Sequence, residues 1–207
     1  MRFPELIARA RDLPVIDTKT LRTWGDDPRV LSVRLSRWTR QGKLVPLRRG
    51  VYLLPAAYRK HDPCVEYLAN LLVTPSYVSL ERALALHGLI PERVPLIQSV
   101  TPRRPGLFGT AVGDFSYRHV KQEWFFGYRE TAVAGGAALV ASPEKALLDL
   151  VYLASGPFGA DRIEELRLQQ VERLSPGAIV RLARGRGARL EQAARSLAGW
   201  IRRERRR

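Results

Sequence analysis

Apolar residues in the first sixty positions recur at helical spacing in three short segments, residues 3–13, 18–24 and 29–41. Asp27 and Pro28 stand at the start of the third segment. Asp caps free backbone N–H groups, and Pro fits the first position of a helix. The pattern therefore predicts three helices, the third of which begins after a tight turn.

Two short runs of strand-forming residues follow the third helix, at residues 43–47 and 51–54. Residues 48–50 separate them and end in glycine, which favours a tight β-hairpin. Helices followed directly by a hairpin are typical of a winged helix-turn-helix. We therefore expect residues 1–57 to form a winged helix-turn-helix DNA-binding domain.

From residue 58 onward the pattern changes, and short helices alternate with strands. The predicted helices cover residues 63–72, 80–87, 145–154, 161–173, 176–183 and 188–203, and the predicted strands cover residues 96–101, 114–120, 124–131 and 137–140. The expected fold class is α+β. Residues 58–207 should form a mixed domain in which helices flank an antiparallel sheet, with residues 161–207 as a basic helical segment.

Charge is distributed unevenly along this pattern. Residues 1–60 contain 14 Lys and Arg against 5 Asp and Glu, residues 61–160 contain 8 against 9, and residues 161–207 contain 13 against 6. Codon usage in a GC-rich genome would explain why Arg outnumbers Lys, but it would not explain this placement. A polyanionic partner would, because phosphate contacts dominate affinity for nucleic acids.

The third predicted helix has two chemically different sides. Leu31, Leu35 and Trp38 form a buried stripe, and the opposite side carries arginines, serines and a valine. Arg can pair with guanine, Ser can donate or accept, and Val can pack on a thymine methyl group, while arginines at a hairpin tip reach phosphates or the minor groove. The predicted DNA-binding residues are Arg29, Ser32, Val33, Ser36, Arg37, Arg40, Lys43, Arg48 and Arg49.

Several segments resemble the AbiEi family of antitoxins, over about residues 15 to 155. The run GKLVPLRRGVY at 42–52 is similar to the G-x-L-x-x-x-x-R-G-x-Y end of the winged helix in that family. The further similar segments are YVSLERALALHGLIP at 77–91, SVT at 99–101, YRH at 117–119 and ASPEKALLDLVY at 141–152. The order and spacing of these segments carry the resemblance.

The resemblance implies a cytoplasmic repressor of its own operon that acts as the antitoxin of a type IV toxin–antitoxin pair. Its implied partners are duplex DNA at its own promoter, with inverted repeats, and a nucleotidyltransferase-like toxin with which it pairs functionally. In the family the winged helix serves repression and the larger domain contributes to antitoxicity. An orphan winged-helix regulator stays an alternative, because some members have no obvious toxin partner.

Residues with catalytic or metal-binding chemistry are scattered. The three histidines lie far apart, and Cys64 is the one cysteine, so it can form no internal disulfide. Glu144, Lys145 and Asp149 could line a cleft, although Ser142 before them is simply a favourable helix cap. Nuclease-type E-x-K and phosphate-binding glycine motifs are missing. We therefore expect no enzyme activity, no catalytic residues, no cofactor and no metal.

Two other classes stay open at this point: a DNA-processing enzyme with an unrecognised C-terminal active site, and a protein-binding module that docks through its winged helix. No apolar stretch is long enough to span a bilayer, and the first residues lack a signal-peptide pattern. The lone cysteine fits a reducing cytoplasm, so we expect a cytoplasmic protein without membrane contact. The C-terminal arginines are either a solvated tail or a second polyanion-binding surface.

Overall fold

The fold is that of a computed structural model, which describes residues 1–156 and 158–206, with only the backbone at Ala160. Arg207, the last residue of the predicted basic segment, lies outside the described residues. The chain is α+β, as predicted. Its first elements are α1 (Phe3–Ala10), β1 (Ile16–Asp17), α2 (Thr18–Thr23), α3 (Pro28–Arg40), β2 (Val45–Arg48) and β3 (Val51–Leu53).

The first three strands form a small antiparallel sheet in the order β1-β3-β2. Ile16 pairs with Tyr52, and Val45 pairs with Leu53 across the hairpin. The three helices bury apolar side chains in a common core, formed by Leu6, Ala10, Ile16, Leu21, Leu31, Leu35, Trp38, Leu44 and Leu54. This core fixes how α3 is held relative to the hairpin.

The remaining elements form a larger unit around a six-stranded sheet. They are α4 (Val65–Leu72), β4 (Tyr77–Val78), α5 (Leu80–Leu86), β5 (Ile97–Thr101), β6 (Gly106–Thr110), β7 (Gly113–His119), β8 (Tyr128–Val133), β9 (Gly136–Ala141), α6 (Pro143–Leu153), α7 (Ala160–Glu165), α8 (Pro176–Ala183) and α9 (Ala188–Glu204). The strand order in this sheet is β6-β7-β5-β4-β9-β8.

The prediction of an antiparallel sheet is wrong in part, because this sheet is mixed. β5 pairs with β7 in parallel, and β4 pairs with β9 in parallel. β6 forms an antiparallel hairpin with β7 and takes the sheet edge, which leaves β7 running alongside β5 in the same direction. Neither β4 nor β6 was predicted, because a two-residue strand and a glycine-flanked strand have no clear alternating pattern.

A helix predicted over residues 161–173 is also interrupted. It begins as α7 and ends at Glu165, and a single 3-10 turn follows at Val171–Arg173. Arg167 and Gln170 both adopt positive φ angles, 49° and 48°, which no continuous right-handed helix allows. The following helix, α8, spans the predicted residues 176–183.

The two units share apolar contacts. Val15, Leu47, Val51 and Leu53 come from the N-terminal part of the chain, yet they are buried in the larger core that surrounds the six-stranded sheet. One face of the small sheet therefore packs on the rest of the protein, with β2 beside β6. Among the described residues, every helix is too short or too polar to traverse a bilayer.

Candidate nucleic-acid interface

The start of α3 is defined by a side-chain cap. Asp27 accepts hydrogen bonds from the backbone N–H groups of Arg29 and Val30, at 2.8 and 3.2 Å. Pro28 follows at the first helical position, where its missing N–H group leaves no bond unmade. The cap fixes where the helix begins, and therefore which of its residues face outward.

Apolar burial then orients the helix. Leu31, Leu35 and Trp38 are each 2% exposed and pack into the N-terminal core. The side of α3 opposite this stripe is open to solvent, and Val33 is 68% exposed. The predicted residues that are exposed on α3 are Arg29, Ser32, Val33, Ser36, Arg37 and Arg40.

The arginines on this outer side have no internal counter-charge. Within residues 1–156 and 158–206, the side chains of Arg29, Arg37 and Arg40 make no hydrogen bond or ion pair. Arg34 differs, because it faces Asp26 with an Nη1–Oδ1 distance of 3.3 Å and is thereby held away from the outer side. Three arginines of α3 are therefore free to meet an external anion.

The hairpin turn places two more arginines next to α3. Arg48 and Arg49 are exposed, and Gly50 ends the turn with a φ of +81°. A Cβ atom on Gly50 would stand 2.9 Å from Oγ1 of Thr18, so glycine allows the turn to approach α2 closely. The backbone carbonyl of Gly50 accepts a hydrogen bond from the N–H of Thr18 at 2.9 Å, which ties the turn to the start of α2.

Arg48 also lies close to the larger unit. Burial raises the pKa of Tyr117 above its ordinary value, and the positive charge of Arg48 partly opposes that rise. Tyr117 is on β7, so the hairpin turn stands beside the six-stranded sheet. The described structure shows no ion pair or hydrogen bond to the side chains of Arg48 and Arg49.

A groove of about 400 Å³ separates α3 from the hairpin turn. Ser32 lines it from α3, Arg49 and Tyr52 from the hairpin, and Thr18 and Arg22 from α2. Thr18, Arg22 and Tyr52 could not be predicted from the sequence, because the apolar stripe of α3 does not indicate which residues lie across from the helix. The groove brings two arginines and three hydroxyl-bearing side chains to one concave surface, a suitable setting for a phosphate.

Lys43 is less accessible to an external anion than the other predicted DNA-binding residues. It follows the end of α3 and is half-buried, with its ammonium group 5.5 Å from the centre of the Phe3 ring. A cation over an aromatic face is partly satisfied inside the protein. Lys43 therefore stands at the edge of the basic surface.

Lys145 and Asp149, two of the three residues on α6 that could have lined a cleft, are instead enclosed in the core. Lys145 and Asp149 form an ion pair in which both side chains are 0% exposed. The Asp149 carboxylate also accepts hydrogen bonds from Tyr77 Oη at 3.0 Å, Ser79 Oγ at 2.6 Å and Trp124 Nε1 at 2.7 Å. Burial lowers the pKa of Lys145 to about 8, against the opposing effect of Asp149.

Aromatic rings enclose the Lys145 ammonium. Its Nζ atom is 4.0 Å from the centre of the Trp124 ring and 4.9 Å from that of Phe126. A Cβ atom on Gly127 would stand 3.0 Å from Cγ of Lys145, so the backbone also closes over it. This arrangement connects α6 to β4 and to the segment before β8.

The other reactive residue types are also engaged. Cys64 is buried, donates to Glu66 Oε2 at 3.3 Å and accepts the N–H of Tyr67 at the start of α4. His87 Nε2 lies 2.8 Å from the carbonyl oxygen of Ala141 and so joins the end of α5 to β9. The described part of the chain holds no cluster of three or more His, Cys, Asp or Glu side chains that could bind a metal ion.

Replacing Asp27 by alanine should destabilise the protein by about 1 kcal/mol, because two N–H groups at the start of α3 lose their acceptor. Urea unfolding followed by circular dichroism measures this change. Glu130→Ala, an exposed position on β8, is the matched control and should stay within about 0.5 kcal/mol of the unchanged protein. Equal midpoints for the two variants would show that the cap contributes nothing.

Comparisons with known proteins bear on the fold. No protein-family model matches the chain, and no curated protein matches it in sequence. Among solved structures, the chain is similar to one described as "Crystal structure of RV2827C protein from Mycobacterium tuberculosis". The TM-score is 0.58 at 21% sequence identity, and the likeness covers 95% of this chain and 75% of that chain. At this identity the likeness shows a shared fold and carries no activity with it.

Proposed function

We propose that this protein binds duplex DNA through a winged helix-turn-helix formed by its first 57 residues. The observation that carries the proposal is the set of unpaired arginines on the outer side of α3 and at the hairpin turn. α3 serves as the recognition helix and enters the major groove, and the turn serves as the wing. The groove between them receives a phosphate of the DNA backbone.

The chemistry of the outer side supports base recognition in addition to phosphate binding. Arg37 and Arg40 can each pair with a guanine edge, and Ser32 and Ser36 can donate to or accept from several bases. Val33 offers an exposed apolar group to a thymine methyl. A helix that met only phosphates would not need this mixture of side chains.

We further propose that the DNA target is the protein's own promoter and that the protein represses its own operon. The resemblance to the AbiEi family supports this role, together with that of antitoxin to a nucleotidyltransferase-like toxin. The antitoxin role would belong to the larger unit, which carries most of the similar segments. The protein has no catalytic role in this proposal, and the buried pair Lys145–Asp149 serves folding.

Binding to the upstream DNA of its own gene tests the proposal. In electrophoretic mobility-shift assays at low salt, the protein should bind this duplex more tightly than a shuffled duplex of equal length. The logarithm of the binding constant should fall linearly with the logarithm of salt concentration, with a slope of about 0.9 for each phosphate contact. Absence of binding at low salt would rule the proposal out, and metal-dependent cleavage of the DNA would favour an enzyme instead.

A further inference from the structure

Two groups of arginines in the C-terminal segment differ in what their side chains contact. Those of the first group donate to backbone carbonyl oxygens and hold the fold together. Arg189 donates to the carbonyls of Val151 and Tyr152 at 3.3 and 3.1 Å, near the end of α6. Arg205 donates to those of Val171 and Glu172, at 3.2 and 2.7 Å. Arg173 and Arg186 likewise donate to backbone carbonyls.

The second group faces outward along α9. Arg202 and Arg203 are exposed, and neither side chain has a hydrogen-bond or ion-pair partner in the described parts of the chain. Arg195 stands two turns earlier and is itself exposed, and its one partner is the half-buried Glu191 at 3.4 Å, a surface pair of the kind that contributes little in water. The inner side of α9 is buried in the larger core, so these arginines project from a rigid helix.

A cleft of about 280 Å³ opens between this row of arginines and the start of α7. Ile163 forms its apolar floor, and the half-buried Trp200 forms one wall. Gly199 stands in the cleft, where its missing side chain leaves the space open. Arg195 and Arg203 flank the opening.

We propose that this surface binds single-stranded nucleic acid, with one unpaired base in the cleft against Trp200 and the adjacent phosphates on Arg195, Arg202 and Arg203. An aromatic wall beside a row of cations is the combination that binds single strands without strict sequence preference. The bases of a duplex are stacked inside it and cannot enter a cleft without being flipped out. The site is separate from α3 and does not depend on the proposed function.

Fluorescence anisotropy of an oligothymidylate and an oligouridylate of about 16 nucleotides tests this site in the full-length protein. The triple variant R195A/R202A/R203A should lose about tenfold or more in affinity, and its salt slope should fall by about 2. The matched control R93A/R104A/R129A removes the same charge from exposed arginines elsewhere and should stay within about twofold. Binding of either strand by the unchanged protein that the triple variant loses supports the site, and the tighter strand identifies its source as DNA or RNA, whereas no binding of either strand would overturn the proposal.

A second variant distinguishes base binding in the cleft from the general attraction of phosphates to positive charge. Gly199→Leu fills the cleft at a position inside α9, where leucine is a better helix former than glycine, so the unfolding midpoint should not fall. Its affinity for single strands should drop about tenfold through loss of base stacking. Equal affinity in this variant, equal losses in the control triple variant, or loss of single-strand binding in R37A/R40A would each overturn the proposal.

Discussion

Replacing Lys145 by methionine should lower the free energy of unfolding by about 3–5 kcal/mol, the largest loss that we expect from one substitution. Methionine fills a similar volume among the aromatic rings, so packing changes little. The charge of Asp149 is then left in the interior with three neutral donors and without the cation that pairs with it. An uncompensated buried charge is strongly destabilising, whereas an intact buried pair contributes little by itself.

Urea unfolding of three variants distinguishes this cause from lost packing. The double variant K145M/D149N restores a neutral site whose amide oxygen can still accept hydrogen bonds, and it should recover much of the loss. Lys121→Met removes a cation from an exposed pair with Glu123, in which the charged atoms are 3.9 Å apart, and should have almost no effect. A K145M variant within about 1 kcal/mol of the unchanged protein would contradict the assignment.

Removing Arg37 and Arg40 together should abolish most discrimination between the promoter and a shuffled duplex. Each well-placed base contact contributes about 1–3 kcal/mol of discrimination, whereas the remaining phosphate contacts keep general affinity for DNA. Removing Arg48 and Arg49 should instead weaken binding to both duplexes alike and reduce the salt slope by about 2. Competition titrations at several salt concentrations measure both effects.

Arg34→Ala supplies a control on the same helix. Arg34 carries the same charge as its neighbours on α3 but is paired with Asp26, so its removal should change neither discrimination nor the salt slope. If both double variants lost affinity equally for both duplexes, α3 would not be a recognition helix. This outcome is compatible with DNA binding that does not depend on sequence. It would therefore remove base recognition by α3 from the proposed function and leave DNA binding itself in place.

Local signals in the sequence sufficed for α3 and the hairpin. Asp27 and Pro28 define the start of the helix through contacts within four residues, and the stripe of Leu31, Leu35 and Trp38 defines its inner side. The predicted span of 29–41 and the observed Pro28–Arg40 accordingly differ by one residue at each end. The exposed candidates on α3 follow from this periodicity alone.

The pairing of β-strands that are distant in the sequence could not be predicted from such local signals. β4 contributes two buried residues and pairs with β5 on one side and β9 on the other, so its neighbours set its place in the sheet. The sequence is equally unable to predict which arginine side chains are paired within the protein. Arg189 binds carbonyl groups and Arg202 faces solvent, although both lie in one basic helix, because the difference depends on what packs nearby.

The burial of Leu47, Val51 and Leu53 in the larger core means that the small sheet is not a detachable unit. A fragment ending at residue 57 would present these side chains to water, which favours aggregation over an independently folded domain. Grafting the first 57 residues onto another protein would require a matching apolar surface beside the hairpin. The orientation of α3 therefore depends on how the small sheet packs against the larger unit. Substitutions in the six-stranded sheet can change that orientation.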